Sequence, residues 1–266
     1  MSPSQILSRI KQERYIQALS QGKRPDERDL HDYREIQIEQ GIIGTAEGSS
    51  RVRLGRTDVL VGIKAELGSP FPDKPNSGVL TVNAELVPLA SPEFHPEPPN
   101  ETSIELARIT DRGIREAKAI DLEKLCLVPG KRVYVIFVDI YVLNHDGNLT
   151  DASSIAALQA LLNTKYPEFD MKNDEILKTV KYTQLPIVNN PIAVTFAKIK
   201  DKFLVDPSLE EEQMMNLRLT ITTEKNGAIC AVQKSGDGYI SEQQFLDCLS
   251  VAQKKSDEIR KIMVNK

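Results

Sequence analysis

The chain has 266 residues, 40 % of them hydrophobic and 27 % charged, which is typical of a soluble globular protein with a sizeable core in one or two domains. Its formal net charge of −4 argues against a protein that binds nucleic acid over its whole surface. Any RNA contact therefore requires a local cluster of arginines or lysines. Because tryptophan is absent and aromatic residues make up 5 %, a platform on which bases stack is also unexpected.

The cysteines, the N-terminus and the apolar runs together predict a cytoplasmic protein. Cys126, Cys230 and Cys248 are far apart and form no CxxC pair, so we expect buried thiols in a reducing compartment. Residues 1–20 contain no apolar segment of signal-peptide length. The longest apolar run, 133–143, is too short to span a bilayer, so no membrane association is expected. The histidines share no ligand spacing, and we predict neither a metal site nor a cofactor.

Sequence periodicity predicts the elements of the first hundred residues. Residues 4–20 show the pattern of a short helix that Gly22 ends. Strands are predicted at 33–39, 51–54, 59–63 and 79–87, with the second and third joined as a hairpin through Gly55–Asp58. Four prolines within 91–100 indicate a loop.

Helices and strands alternate in the rest of the chain. A helix is predicted at 102–120, and the apolar, β-branched run at 133–143 predicts a strand covered on both faces. Another helix follows at 152–162, with Asp151 or Thr150 as its N-cap. The pattern weakens at 165–190. Further strands and a last helix are then predicted at 192–196, 202–205, 217–222, 228–233 and 241–264. This order of elements is that of an α+β fold.

The turn at 144–151 combines the geometry of a phosphate site with side chains that oppose one. A strand feeds a helix here through a glycine-bearing turn, where free backbone N–H groups and the helix dipole favour an anion. The turn contains Asp146 and Asp151 but no lysine or arginine. Because carboxylates repel phosphate, we predict an empty phosphate seat.

One face of the helix predicted at 102–120 is basic. Arg108, Arg112 and Arg115 are spaced so that their guanidinium groups line one side of the helix. Such groups bind phosphate through charge-assisted, often bidentate hydrogen bonds. The alternative is that they pair with acidic neighbours on the same surface, which are Glu105, Asp111 and Glu116.

Several motifs, in a fixed order, resemble the RNase PH family of phosphorolytic exoribonucleases. They are Arg24-Pro25-Asp26-Glu27-Arg28 with Tyr33-Arg34, the segment from Gly48 to Leu60, Ile104-Glu105-Leu106, and Val205-Asp206 followed by Glu210-Glu211-Glu212. The resemblance covers nearly the whole chain. It implies an α+β RNase PH fold, with a βαβ core like that of ribosomal protein S5 domain 2, and assembly into six-membered rings.

The resemblance also implies a division of the chain into four parts. The first part is an N-terminal helical extension at 1–22, which precedes RNase PH domain 1 at 23–165. A linker or edge segment at 166–190 then leads into RNase PH domain 2 at 191–266.

The positions that carry catalysis in active relatives lack their cations here. In those relatives an arginine in a Gly-Thr/Ser-Arg turn grips the attacking phosphate, and an Arg-Arg pair ahead of the Ile-Glu-Leu helix binds RNA. These positions fall at or beside Thr150 and on Glu101–Thr102. Of two aspartates that assist the chemistry, Asp206 is kept and Glu212 replaces the second. Because phosphoryl transfer depends on positive charge, we expect no catalytic residue and no turnover of RNA by this chain alone.

A member that keeps the fold and loses the site is similar to the non-catalytic RNase PH-like subunit of the archaeal exosome ring, which acts in 3′-to-5′ RNA degradation. This resemblance implies three partners: a catalytic RNase PH-like sister in a trimer of heterodimers, RNA-binding cap proteins, and single-stranded RNA. The predicted RNA-binding residues are Arg108, Arg112 and Arg115. Two alternatives stay open. One is an active phosphorolytic exoribonuclease that forms its own homohexamer and uses Asp206 and Glu212, and the other is an RNA-binding ring protein outside any nuclease.

Overall fold

The computed structural model describes residues 15–19, 22–172 and 175–264. Residues 15–19 are helical and form α1; the rest of the helix predicted at 4–20 lies outside the described residues. Gly22, with φ +76°, turns the chain away from α1, and its N–H donates to the Leu19 carbonyl at 2.9 Å. The predicted end of this helix at Gly22 is thereby explained.

A six-stranded sheet occupies the first half of the chain, and its longer strands were predicted within a few residues. They are β1 (Ile36–Gln40), β2 (Gly48–Leu54), β3 (Thr57–Gly68), β4 (Val79–Leu86), β5 (Cys126–Val128) and β6 (Arg132–Asn144). The order is β1-β2-β3-β6-β4, with β5 paired to the N-terminal end of β6. β4 runs parallel to β6, and the other neighbours are antiparallel. The loop between β2 and β3 is shorter than predicted and consists of Gly55 and Arg56.

β6 is buried on one face only, so the prediction of a strand covered on both faces is wrong. Val138 and Ile140 point into the core and are fully buried. Phe137 and Tyr141, on the other face, are only half-buried. That outer face is mixed, since Asp139 lies between Phe137 and Tyr141 on β6 and Lys64 of β3 lies opposite Phe137.

Most of the segment 166–190, predicted as a linker or edge element, belongs to a separate hairpin. Its strands, β7 (Lys165–Lys172) and β8 (Glu175–Gln184), pair antiparallel as a two-stranded sheet. Tyr166 of β7 packs edge-on against Tyr134 of β6, with ring centroids 4.7 Å apart. This contact joins the base of the hairpin to the core.

The second half of the chain forms a four-stranded antiparallel sheet. Its strands are β9 (Ile192–Ile199), β10 (Lys202–Val205), β11 (Leu217–Thr223) and β12 (Ile229–Ser235), in the order β10-β9-β11-β12. The helices after α1 are α2 (Glu101–Glu116), α3 (Leu149–Leu162), α4 (Leu209–Met214) and α5 (Glu242–Val264), with a 3-10 helix at Leu122–Leu125. α3 packs against β2, β3 and β9 and is buried nearly all round, which is why its sequence shows no amphipathic pattern.

Two helix ends differ from the prediction. α2 ends at Glu116 rather than near residue 120, because Lys118 adopts a left-handed conformation with φ +47°. α3 begins at Leu149, and its N-cap is Asn148 rather than Asp151 or Thr150. The Asn148 side chain accepts a hydrogen bond from the Asp151 N–H, which is the usual work of an N-cap.

One continuous hydrophobic core crosses both halves of the chain. It includes Ile63 of β3, Leu158 of α3 and Phe196 of β9. A smaller cluster packs α1 on the second sheet through Leu19 and Leu204. The division into domains at 23–165 and 191–266 stays a prediction.

The three cysteines are free thiols. Cys248 is buried, but Cys126 and Cys230 are half-buried, so the prediction of buried thiols holds fully for Cys248 alone. Across 15–19, 22–172 and 175–264, no helix is long and apolar enough to cross a membrane.

Candidate anion seat and arginine groove

The turn from β6 into α3 is the predicted phosphate seat, and the start of α4 packs tightly over it. Gly147 has φ +90°, and a Cβ built on it would lie 2.4 Å from the Ser208 carbonyl carbon. Glycine permits both this conformation and this close approach of two backbones. The Leu209 N–H also donates to the Asp146 carbonyl at 3.2 Å. The turn is therefore covered by chain from the second half of the protein.

A carboxylate of α4 contacts the anion seat, which we define as the backbone N–H groups of residues 148–151. Glu212 Oε1 accepts a hydrogen bond from the Asn148 N–H at 3.0 Å. A helix N-terminus favours negative charge, and here the chain itself supplies it. Burial raises the pKa of the Glu212 carboxyl, while that hydrogen bond and the cations Arg218 and Arg34 lower it.

Two cations that are distant in sequence lie beside the turn. Arg34 donates to the Asp146 carbonyl at 2.6 Å and to the Gly147 carbonyl at 3.1 Å. Arg56 pairs with the Asp146 carboxylate at 3.1 Å. The turn itself contains no cation, as the sequence shows, but two cations reach it from other segments. Cations are present, but they are committed to the chain's own carboxylates and carbonyls.

Asp206 is fully buried, and cations and amides surround its carboxylate. Its carboxylate accepts hydrogen bonds from Arg28 Nη1 at 2.9 Å and from Arg34 Nη2 at 2.7 Å. It also accepts from the Arg34 N–H at 2.8 Å and from Asn148 Nδ2 at 2.8 Å. Among the described residues no group of three or more acidic, histidine or cysteine side chains could hold a metal ion.

Asp151 is also fully buried, and its carboxylate is held by hydrogen bonds from three other residues. Oδ2 accepts from the Tyr33 hydroxyl at 2.7 Å and from Asn148 Nδ2 at 2.9 Å. Thr195 of β9 donates through its N–H at 3.0 Å and through its hydroxyl at 2.7 Å. Burial raises the pKa of Asp151 to about 6, although these hydrogen bonds lower it. The Asp151 carboxylate therefore lies in the interior rather than at the anion seat.

α4 was not predicted, because Glu210-Glu211-Glu212 has the pattern of a solvated charge run. The structure separates these glutamates: Glu210 is exposed, whereas Glu211 is 0 % exposed. Glu211 forms a capping box with Ser208. Its Oε1 accepts from Arg24 Nε at 2.8 Å, and Arg24 is only 2 % exposed. Arg24 is therefore a core residue.

A small cavity of about 70 Å³ opens beside the seat, lined by Thr150, Glu212 and Arg218 among others. Arg218, on β11, pairs with Glu105 of α2 at 2.7 Å. Glu105 therefore pairs with Arg218 and not with an arginine of its own helix. No local sequence pattern signals this pair, since its members lie in different halves of the chain.

A groove of about 650 Å³ lies between α2 and the strands β11 and β12; we call it the arginine groove. Its charged lining consists of Arg108, Arg112, Arg115, Glu101, Glu105, Asp111 and Glu116. The structure thus brings all three predicted RNA-binding arginines to one surface. Because acidic residues also line the groove, an arginine can bind an anionic ligand only if it is not already paired with one of them.

The three arginines differ in their partners. Arg115 pairs with Asp111 at 2.7 Å, as the self-pairing alternative predicts. Arg112 donates to Gln233 Oε1 of β12 at 3.1 Å. Arg108 and Arg112 are exposed, and neither forms an ion pair with any described residue. Their guanidinium groups are therefore the ones available to an anionic ligand.

Two family models match this fold and place the chain in a family. The model of the 3′ exoribonuclease family, domain 1, matches residues 32–167, and that of domain 2 matches residues 189–255. The chain therefore belongs to the 3′ exoribonuclease family, the RNase PH family.

Similar proteins carry the name Exosome complex component Rrp42. The one from Thermococcus gammatolerans is 52 % identical over 266 residues, which covers 99 % of this chain and 97 % of that protein. The one from Pyrococcus horikoshii is 53 % identical with the same coverage.

Solved structures share the fold over nearly the whole chain. A chain of the Archaeoglobus fulgidus exosome with RNA bound to the active site gives a TM-score of 0.88 at 43 % identity, covering 96 % of this chain and 98 % of that one. A chain of an archaeal exosome core gives 0.87 at 41 % identity, covering 98 % and 99 %. The predicted α+β RNase PH fold is confirmed.

Proposed function

We propose that this chain is a non-catalytic subunit of the hexameric exosome ring in 3′-to-5′ RNA degradation. It would alternate with a catalytic RNase PH-like sister in a trimer of heterodimers, structure the sister's active site, and contact single-stranded RNA. RNA-binding cap proteins would complete the assembly, in the cytoplasm. The relatives named Exosome complex component Rrp42 and the fold shared with archaeal exosome chains support this assignment.

The contact between Glu212 and the Asn148 N–H is the observation that carries the non-catalytic part of the proposal. A phosphate that attacks RNA needs fixed donors and cations where its negative charge lies. Here the Glu212 carboxylate accepts a hydrogen bond from the Asn148 N–H, at the N-terminus of α3, at 3.0 Å. Loss of one oxyanion donor alone typically costs about 2.7–4 kcal/mol of transition-state stabilisation, and a resident negative charge adds repulsion to that loss.

Asp206 supports the same conclusion against the alternative of an active homohexamer. An acid that assists a leaving group must reach the substrate. The Asp206 carboxylate is instead 0 % exposed and receives hydrogen bonds from Arg28, Arg34 and Asn148. This aspartate is used to hold the turn in place.

Arg108 and Arg112 support the RNA-binding part of the proposal. Both are exposed in the arginine groove and lack a carboxylate partner within the described chain. Guanidinium groups in this state can form charge-assisted contacts with RNA phosphates. Arg115 shares its charge with Asp111 and is expected to contribute less.

A phosphorolysis assay tests the proposal. The purified chain is incubated with inorganic phosphate and poly(A) RNA, with and without the catalytic RNase PH-like sister, and nucleoside diphosphates are measured. We expect release only when the sister is present. Release by this chain alone would establish the active alternative.

A further inference from the structure

A second groove, of about 720 Å³, continues from the arginine groove at the C-terminal end of α2. Arg115 lines both grooves, so they meet at its side chain. The walls of this second groove come from three separate segments. Lys74 lies on the loop between β3 and β4, Lys118 follows α2, and Val188 precedes β9.

Backbone hydrogen bonds fix these walls to one another. The Gly78 N–H donates to the Leu122 carbonyl at 2.8 Å, which ties the β3–β4 loop to the 3-10 helix. The Val188 N–H donates to the Ala119 carbonyl at 2.8 Å, which ties the segment before β9 to the end of α2. The second groove is therefore formed before any ligand arrives, and binding there requires little ordering of the protein.

The unpaired side chains of the second groove carry a net positive charge. Lys74 and Lys118 are exposed and form no ion pair in the described part of the chain. Of the two acidic residues in the lining, Asp121 pairs with Lys124 at 3.1 Å. Glu123 alone is an unpaired acid there. Two free cations thus face one free carboxylate.

The lining also offers apolar surface beside these cations. Leu122 is half-buried, and Val188 is 63 % exposed. Positively charged grooves follow the phosphate backbone of single-stranded nucleic acid without strong sequence preference, and Leu122 and Val188 add apolar surface for the bases. The arginine groove, which meets this surface at Arg115, is already assigned to RNA by the proposed function.

Lys118 occupies a backbone position that glycine normally takes. Its N–H donates to the Arg115 carbonyl at 3.0 Å, and the Ala119 N–H donates to the Ile114 carbonyl at 2.9 Å. These two bonds define the Schellman end of a helix, whose left-handed residue is usually glycine. A side chain in this conformation costs roughly 1 kcal/mol.

We propose that the second groove binds the nucleotides of single-stranded RNA that follow those held in the arginine groove. Lys118 and Lys74 would contact phosphates, and Leu122 and Val188 would contact bases. This inference rests on the proposed function, because it continues the same RNA past Arg115.

The test uses the ring reconstituted with the sister subunit, in buffer without phosphate so that RNA is not consumed. Affinities for oligo(A) of increasing length are measured against salt concentration. For long RNA we expect Lys118→Gly and Lys74→Ala each to reduce the salt slope by about 0.7, the value for one phosphate contact with a single strand. For RNA too short to pass Arg115 we expect no change.

Lys118→Gly keeps the test independent of folding, because glycine suits φ +47° better than lysine does. Its free energy of unfolding should equal or exceed that of the wild type. Lys202→Ala, on β10 at the far edge of the second sheet from β12, is the matched control. Unchanged salt slopes for long RNA in both groove variants would contradict RNA binding in the second groove. Equal reductions of the slope for short and long RNA would contradict it as well. Failure of Arg112→Glu to weaken short RNA would instead count against the proposed function.

Discussion

The Asn148 N–H and the Glu212 carboxylate, 64 residues apart in the chain, meet at 3.0 Å at the first turn of α3. The contact places negative charge at the positive end of a helix. It also lies at the turn where active members of the family are expected to hold phosphate. The loss of activity that we propose is therefore explained by the presence of the Glu212 carboxylate as well as by the missing arginines.

Replacement of Glu212 with a small neutral residue should reopen the anion seat. In Glu212→Ser the Asn148 N–H loses its partner, so inorganic phosphate should raise the unfolding temperature of this variant and not that of the wild type. Ligand binding stabilises by RT ln(1 + [L]/Kd), or about 2.7 kcal/mol at a hundredfold excess over Kd. Thermal unfolding across a phosphate series measures the shift. Glu210→Ser, an exposed neighbour on the same helix, is the control, and an equal phosphate response in wild type would mean that the seat is already open.

Breaking the buried pair of Arg24 and Glu211 should strongly destabilise the fold. Removal of one member of a buried ion pair leaves an uncompensated charge and typically costs about 3–5 kcal/mol. We expect a loss of that size for Glu211→Gln in urea unfolding. The exposed pair of Arg56 and Asp146 is the control, since Arg56→Ala should cost no more than about 1 kcal/mol. The double variant Arg24→Met/Glu211→Leu should lose less unfolding free energy than the sum of the losses of Arg24→Met and Glu211→Leu. Strict additivity would contradict a coupled pair.

Asp151 should make stability depend on pH. Its pKa of about 6 in the folded chain lies above the ordinary 3.8, so the folded state binds the proton more tightly than the unfolded state does. The free energy of unfolding should therefore fall as the pH rises from about 4 to about 6, by about 3 kcal/mol in total.

Comparison with Asp151→Asn isolates this effect, because the variant has no ionisable group at that position. The difference in unfolding free energy between wild type and variant is measured by urea titration at each pH. With increasing pH, the variant should become more stable relative to the wild type. A difference that stays constant across this range would show that the Asp151 carboxyl keeps its ordinary pKa.

Arg112 should contribute to RNA binding by the assembled ring. Hydrogen bonds to charged groups contribute about 1.5–3 kcal/mol, so Arg112→Glu should weaken binding of oligo(A) by about tenfold or more. Fluorescence anisotropy in phosphate-free buffer measures the affinity, and circular dichroism checks that the subunit is folded. Lys202→Glu carries the same change of charge outside the groove. Equal affinities for the Arg112 variant and the wild type would remove its role in guiding RNA.

Local patterns predicted most of the fold because strands and long helices repeat every two or about four residues. Strands such as β10 and helices such as α5 were therefore predicted within a residue. α4 was missed because six residues carry too little pattern, and nothing local distinguishes exposed Glu210 from buried Glu211. The end of α2 was misplaced because Lys118 gives no signal for a left-handed conformation.

The site was harder to predict than the fold because its decisive contacts are long-range. The arginine strip was predictable, since Arg108, Arg112 and Arg115 share one side of a single helix. The pair of Arg34 and Asp206 joins residues 172 positions apart, and no local periodicity of the sequence predicts such a pair. Sequence alone therefore suggested a turn without cations, where the structure places arginines that are already paired.

The covering of the turn by the start of α4 bears on how activity could return in evolution. An arginine regained at position 150 would share its cavity with Glu212, and Gly147 would still lie under the backbone of Ser208. Reversal requires coordinated changes in two segments that evolve as separate stretches of sequence. If the chain is non-catalytic, as we propose, a single substitution at this turn would not be enough to restore activity.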